Sequence, residues 1–376
     1  MGQRAGKRNS HQGGVYFDYS LLFIVIFMLC FGLVMLYSAS YYESAMEYGD
    51  SGYYLKKQLL STVLGFGVMV VVIRLNYEWF NKPAMALLAF AGSVLLILMV
   101  LSPLGIERNG ARRWINLGMS VQPSEVAKLG LIIFMAFFIN RNSKRLKNAR
   151  VFFTGLVYTI IIAGMVAVVT SNLSSAIVIA GIGAIMLFVS CPRIIYFVEI
   201  AGMGVAAVIV AIIAEPYRLE RFNVWLNPEA YPNDGGYQTM QSLYALGSGG
   251  LFGKGLGKGI QKLGYIPEAQ NDMIFTVICE ELGLIGGIAV ILLFIFLIWR
   301  FMIIANNAGN LFGSMLVVGV MAHIALQVVM NIAVVTNAMP NTGVTLPFVS
   351  YGGSSTLCLL AEIGLVLSVS KRIRFE

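Results

Sequence analysis

Residues 264–283 read G-Y-I-P-E-A-Q-N-D-M-I-F-T-V-I-C-E-E-L-G and join a long polar loop to a very apolar segment. Pro267 closes the loop, and Asp272 stands at the first turn of the apolar segment. Residues 273–299 are then almost wholly apolar, longer than the ~20 residues that a membrane-crossing helix needs. A carboxylate at such a boundary is costly to bury and easy to dispense with, so its presence marks function. The remainder of the chain can be read as scaffold and binding surface for this one acid.

Composition supports the membrane reading. The chain has 376 residues, 58% hydrophobic and only 12% charged, about half the charged share of a soluble domain. The net charge of +8 does not call for nucleic acid, because most basic residues cluster at the ends of apolar stretches, where orientation alone requires them. Cys30, Cys191, Cys279 and Cys358 lie in or beside apolar segments without metal-ligand spacing and read as small hydrophobes. His11 and His323 are too few and too scattered for a metal site. Arg4, Lys7 and Arg8 before the apolar run 21–36 imitate a signal peptide. Similar runs continue to the C-terminus, so an uncleaved first span is the better reading.

The expected fold is an all-α integral membrane protein, a polytopic bundle of about ten transmembrane helices near 19–39, 58–73, 83–103, 123–140, 151–170, 174–190, 194–214, 273–299, 311–338 and 354–370. One domain, 1–376, is expected, with a cytoplasmic N-terminal tail 1–18, a large extracytoplasmic loop 215–272 between spans seven and eight, and a cytoplasmic tail 371–376. Arg74, Lys82, Arg141, Lys144, Arg145, Lys147, Arg150, Arg193, Arg300 and the basic residues of both tails all fall on one face of this arrangement. That face is cytoplasmic, and so are both termini.

The outward loops should then be poor in Lys and Arg, yet 104–122 carries Arg108, Arg112 and Arg113, and 215–272 carries Arg218, Arg221, Lys254, Lys258 and Lys262. Long loops translocate whatever their charge, which covers 215–272 but not the short 104–122. Cations at headgroup level suit an anionic ligand such as a phosphate or pyrophosphate. Within 215–272, residues 238–246 should form a short helix, and the Gly-rich 247–259 an irregular backbone able to approach a ligand closely. Its G-K-G-L-G-K lacks the G-K-[ST] ending of a nucleotide loop and would face away from ATP.

The fourth span opens Q-P-S-E-V-A-K, with Pro123 suited to a first helical turn and Glu125 placed where the helix dipole favours an anion. Glu125 and Lys128 share a face and can pair. Lys128 lies beyond the first turn among apolar residues, a depth at which an ionisable group faces a cavity or a partner. Glu280 and Glu281 read as structural, and His323 as an interhelical hydrogen-bonding residue. The last outward stretch, M-P-N-T-G-V-T-L-P-F-V-S-Y-G-G-S-S, cannot be a regular helix. Irregular backbone at a membrane boundary needs protein or a polar cavity around it, so this stretch should fold back near Asp272.

The motifs Y-S-A-S at 37–40, Lys57-Gln58, G-A-R-R-W-I at 110–115, Q-P-S-E-V-A-K at 122–128, Y-R-L-E-R-F at 217–222, G-Y-Q-T-M-Q-S at 236–242, A-L-G-S-G-G-L-F-G-K-G-L-G at 245–257, P-E-A-Q-N-D-M-I-F at 267–275, E-E-L-G at 280–283 and L-P-F-V-S-Y-G-G-S-S at 346–355 span nearly the whole chain. Together they resemble the SEDS family (shape, elongation, division and sporulation), the FtsW/RodA/SpoVE group, and the double arginine of G-A-R-R-W-I leans to the FtsW branch. The resemblance implies a peptidoglycan glycosyltransferase of the bacterial cell membrane that polymerises lipid II into nascent glycan. It also implies a class B penicillin-binding protein, a transpeptidase, as partner, along with other divisome or elongasome membrane proteins. It places the essential acid on Asp272 and the conserved cavity residues on Arg113, Glu125 and Lys128. Family members commonly carry Q-P-D-L-G-T where this chain has T-S-N-L-S-S at 170–175, so Asn172 replaces an acid.

Joining the reducing-end carbon of one lipid-linked chain to the 4-hydroxyl of another needs a base for the hydroxyl proton and positive charge for the departing pyrophosphate. Asp272 is the candidate base. Arg112, Arg113, Lys128, Arg218 and Arg221 are candidate anion partners, with Glu125, Gln238 and Ser248 as further substrate-binding candidates. The sequence establishes no cofactor, and a divalent cation, Mg or Mn, could share the phosphate charge. The main rival is a lipid II flippase, which would need critical charges near the midplane. A third reading, a scaffold that only recruits a polymerase, gives no reason for a buried Lys128.

Overall fold

The computed structural model describes residues 17–373 apart from 109–110, 117, 119, 192, 214–215 and 233–234; for 108, 111, 207–208, 211–212, 216–218 and 235 it describes the backbone alone. The tails 1–16 and 374–376 lie outside the described residues. The helices are α1 Tyr19–Tyr48, α2 Tyr53–Arg74, α3 Pro83–Met99, α4 Pro123–Asn142, α5 Ala149–Val169, α6 Leu173–Ser190, α7 Ile195–Ile213, α8 Pro216–Leu226, α9 Gly235–Ser248, α10 Ile274–Asn306, α11 Leu311–Val335 and α12 Gly353–Ser370. Each of the ten apolar stretches coincides with a helix. Eight of these are long and apolar enough to cross a membrane; Pro83–Met99 and the Ile195–Ala206 part of α7 are shorter apolar helices.

Local chemistry sets the boundaries. Asp18 caps α1 by accepting from the Leu21 amide, and Gly49 ends that helix at φ 68°. Asn148, Asn172 and Asn310 cap α5, α6 and α11 with their side chains, and Pro83 and Pro123 occupy the first turns of α3 and α4. Asn172 therefore does the capping work that an aspartate would also do, through the Ser175 amide at 3.0 Å.

The centre of the bundle is α4, α11 and α12, whose faces are mostly enclosed by neighbours. Large apolar side chains such as Phe23, Leu88, Val168 and Leu292 stand exposed on outer flanks, as lipid-facing residues do.

Three details differ from expectation. The chain is not purely helical: 104–122 forms a small antiparallel sheet of β1 Gly105–Arg108, β2 Ala111–Asn116 and β3 Ser120–Val121. The segment 216–226 is a helix, and its R-L-E-R-F-N-V-W-L carries a clear apolar stripe that the loop-rich surroundings obscure. Finally, α10 is broken at Gly283, where φ 71° and ψ −171° interrupt the helix.

The Gly-rich stretch 249–259 packs into that break. Lys254 and Gly255 amides donate to the carbonyls of Glu280 and Glu281, while Leu284 and Ile285 amides donate to Gly250 and Leu251 carbonyls. A Cβ on Gly253 would lie 2.1 Å from the Glu281 carbonyl oxygen, so the approach requires glycine. The close approach expected of this loop is thus made to α10. Glu280 and Glu281 are structural, as expected. Glu280 holds Lys254 at 2.7 Å and the Ile260 amide at 2.9 Å, while Glu281 holds buried Lys262, the Ser38 hydroxyl and the Gly257 amide.

Candidate active site

Asp272 sits in the turn that leads into α10, half-buried, with its carbonyl accepting from the Asn331 side chain of α11 at 2.7 Å. The same amide donates to the Val344 carbonyl at 2.8 Å, which ties the Asp272 turn to the stretch after α11. Gly343 of that stretch faces the acid: a Cβ there would stand 3.8 Å from Asp272 Oδ2. The Tyr351 amide donates to the Gln270 carbonyl at 2.9 Å. The irregular stretch after α11 therefore folds back against Asp272, as its prolines and glycines suggest.

Desolvation is the largest influence on the Asp272 carboxyl and pushes it up to about 6, with Glu268 adding to the rise; its own backbone amide and Arg221 pull the other way. A carboxylate with a pKa so close to neutrality can take and release a proton under working conditions.

Beside Asp272 lies a cleft of about 500 Å³, open solvent included, between α8, α9, the start of α10 and the end of α11; Arg221, Trp225, Gln238, Ser242 and Asn341 line it. Arg221 donates to the Asn341 carbonyl at 3.0 Å, and the Asn341 amide donates to Gln238 Oε1 at 2.8 Å. Trp225 donates to the Asn337 carbonyl at 3.0 Å. The indole beside amides and a guanidinium is a surface suited to a sugar carrying a phosphate. Arg221 and Gln238 thus line the cleft together with Met273, the neighbour of Asp272, and the Arg221 charge acts on the Asp272 carboxyl. Arg218 lies on α8, but its side chain falls outside the described residues.

The other candidates divide. Arg113 on β2 donates to the carbonyl of Ser171 at 3.2 Å, in the turn between α5 and α6. Arg112 points to the other side of the strand and pairs with exposed Glu107 at 3.2 Å. Ser248 closes on the Ala245 carbonyl at the far end of α9, about 15 Å along that helix from Gln238, so it does not join the cleft. Glu125 and Lys128 form a buried pair at 2.7 Å. They lie near a second buried pair, His323 and Glu362 at 2.8 Å, and the Ser355 hydroxyl. His323 is eight residues before Asn331 on α11, which puts this quartet about 12 Å from the Asp272 carbonyl along the helix axis.

Asn331, which holds the Asp272 turn, and Gln327, buried beside His323 on the same helix, are candidate-site residues that the sequence reading passed over. The available signal was polar residues four apart in an otherwise apolar segment, on one face with His323. Among the described residues no group of three or more His, Cys, Asp or Glu could hold a metal. The described side chains therefore form no ready donor set for a cation held by protein alone.

The sequence model of the FtsW/RodA/SpoVE family, described as "Cell cycle protein", matches residues 19–374. The chain belongs to this family. Stage V sporulation protein E of Bacillus subtilis is 40% identical over 359 residues, covering 95% of this chain and 98% of that protein. A probable peptidoglycan glycosyltransferase FtsW of Trichlorobacter lovleyi is 38% identical, over 95% and 94% of the two chains. Among solved structures, one described as a peptidoglycan synthase complex coordinating polymerization and crosslinking superposes with a TM-score of 0.80 at 28% identity, over 96% of this chain and 99% of that one. The rod shape determining protein RodA of Thermus thermophilus gives 0.69 at 27% identity, over 96% and 98%.

Proposed function

We propose that this family member polymerises lipid II into glycan strands at the outer face of the bacterial cytoplasmic membrane, with Asp272 as general base. The chain is a peptidoglycan glycosyltransferase, as its FtsW relatives are named. The observation that carries the base assignment is the half-buried Asp272 carboxyl, raised to about 6 and within the field of Arg221, next to Met273 in the wall of the cleft.

In the proposed step the 4-hydroxyl oxygen of the acceptor sugar attacks the anomeric carbon of the donor. The bond from that carbon to the pyrophosphate oxygen breaks, the electron pair leaves with undecaprenyl pyrophosphate, and the hydroxyl proton passes to Asp272. A single displacement inverts the α-linked donor to a β-linked product without a covalent intermediate. Arg221, with Arg218 one turn away on the same helix and Arg113 across the outer surface, offers positive charge to the leaving diphosphate. Gln238, Asn341 and Trp225 would position the sugars. Arg112, paired with Glu107, would contribute mainly to the field. Mg or Mn would have to draw ligands from the substrate's phosphates.

In this reading all ten apolar helices cross the membrane, both termini are cytoplasmic, and the single domain carries 215–272 outside. A class B penicillin-binding protein supplies crosslinking; the structural likeness to a complex that couples polymerization with crosslinking supports it. The Glu125–Lys128 and His323–Glu362 pairs favour a second reading, a lipid II flippase, because buried charge deep among the helices is what a transporter needs. Two assays separate them. Purified chain with its class B partner should convert lipid II to a glycan ladder. Vesicles holding the chain alone should not move lipid II between leaflets; movement without polymer would reverse the assignment.

A further inference from the structure

Two polar contacts between α1 and α10 mark the edges of a slab. At one end Arg300 meets Asp18 at 2.6 Å; at the other, Ser38 meets Glu281 at 2.8 Å. No charged residue lies at 19–37 or 282–299. The twenty residues from Asp18 to Ser38 rise about 30 Å as helix, the thickness of a bilayer's hydrocarbon core. The second contact therefore sits at the hydrocarbon boundary on the Asp272 side, and the broken turn at Gly283 sits with it.

At that level lies the loop held in the break. Although Glu280, Glu281 and four backbone hydrogen bonds fix it firmly, it turns its large apolar side chains outward. Leu251 is 60% exposed, Phe252 80%, Leu256 54% and Ile260 52%. Leu284 and Ile285, whose amides bond to this loop, are exposed on the adjoining flank of α10 and lead into its lipid-facing surface. Lys258 is exposed among them. Apolar tips with a cation at the hydrocarbon edge are the pattern of an interfacial anchor rather than of a loop in water.

We propose that residues 249–260 form a rigid membrane anchor, which inserts Leu251, Phe252, Leu256 and Ile260 among the acyl chains while Lys258 lies among the lipid phosphates. The anchor is bonded to the first segment of α10, and Asp272 leads into that segment. It thereby fixes the height of the acid above the bilayer, the coordinate that matters for a substrate carried on a lipid diphosphate. The inference stands on geometry and does not require the polymerase reading.

The test is a nitroxide at position 252, and separately at 256, in the full chain reconstituted without partner in nanodiscs of phosphatidylethanolamine and phosphatidylglycerol. Cys30 is the one exposed cysteine among the described residues, so Cys30→Ala provides the background for Phe252→Cys and Leu256→Cys. Leu292→Cys on the lipid-facing flank and Glu229→Cys on the exposed 228–230 turn serve as references. Collision with oxygen should exceed collision with a water-soluble nickel chelate at 252 and 256, as at 292 and opposite to 229. A chelate-dominated signal like that at 229 overturns the anchor. So does spin–spin broadening at 252 that disappears on dilution with unlabelled chain, which would mean that a second copy covers the loop.

Discussion

Asn331 spends both of its amide protons on one task, joining the carbonyls of Asp272 and Val344. Asn331→Leu keeps the volume and removes the partner of the buried Val344 carbonyl, at about 1–3 kcal/mol, and of the partly buried Asp272 carbonyl. The expected result is a fall in kcat with little change in KM for lipid II, because the acid's placement suffers more than substrate binding. The Asp272 carboxyl, raised to about 6, predicts a pH limb. Its basic form is lost as pH falls through that value, so kcat/KM should drop about tenfold per unit below pH 6. A pH–rate profile on polymer formation checks this, and a flat profile to pH 5 would exclude Asp272 as the titrating base. Asp272 stood out in the sequence as the candidate acid because a lone carboxylate at the start of a long apolar run has few structural excuses. Asn331 was not, because an amide inside a span is as readily an ordinary interhelical contact.

The broken α10 and its loop make up the element whose failure should propagate furthest. Gly283→Ala would place a Cβ at φ 71°, 2.4 Å from the Gly253 amide nitrogen, so both the helix break and the loop must shift. Glu281→Ala removes the partner of Lys262, which has no exposed surface, and uncompensated buried charge costs about 3–5 kcal/mol. Thermal unfolding in detergent should show a clear loss of Tm for both variants, whereas Lys56→Ala, which breaks an exposed pair with Asp50, should leave Tm nearly unchanged. The E-E pair could be read as structural from its depth. Its partners could not, since pairing between residues 250–262 and 280–285 leaves no local periodicity to detect. The sheet at 104–122 escaped for a related reason: strands of two to six residues give too short an alternation to separate from a loop.

Across the whole molecule, the hydropathy pattern located all ten apolar helices, because a segment that enters lipid must hide its backbone within itself and so carries a long apolar run. The Glu125–Lys128 pair could be read within α4, but the His323–Glu362 pair between α11 and α12 needed coordinates, since charge pairing between helices is not written in either one alone. The ten-span reading predicts that a fluorescent reporter fused at either terminus folds in the cytoplasm, while a maleimide that cannot cross membranes labels a cysteine at 229 from outside and none at 145. The central claim is that Asp272 deprotonates the attacking sugar, and the most direct measurement is lipid II polymerisation by purified Asp272→Asn protein with its class B partner. The account predicts a protein that inserts, melts like the parent and loses about 10²–10⁴-fold in rate. Long glycan made by that variant at the parent's rate would contradict it.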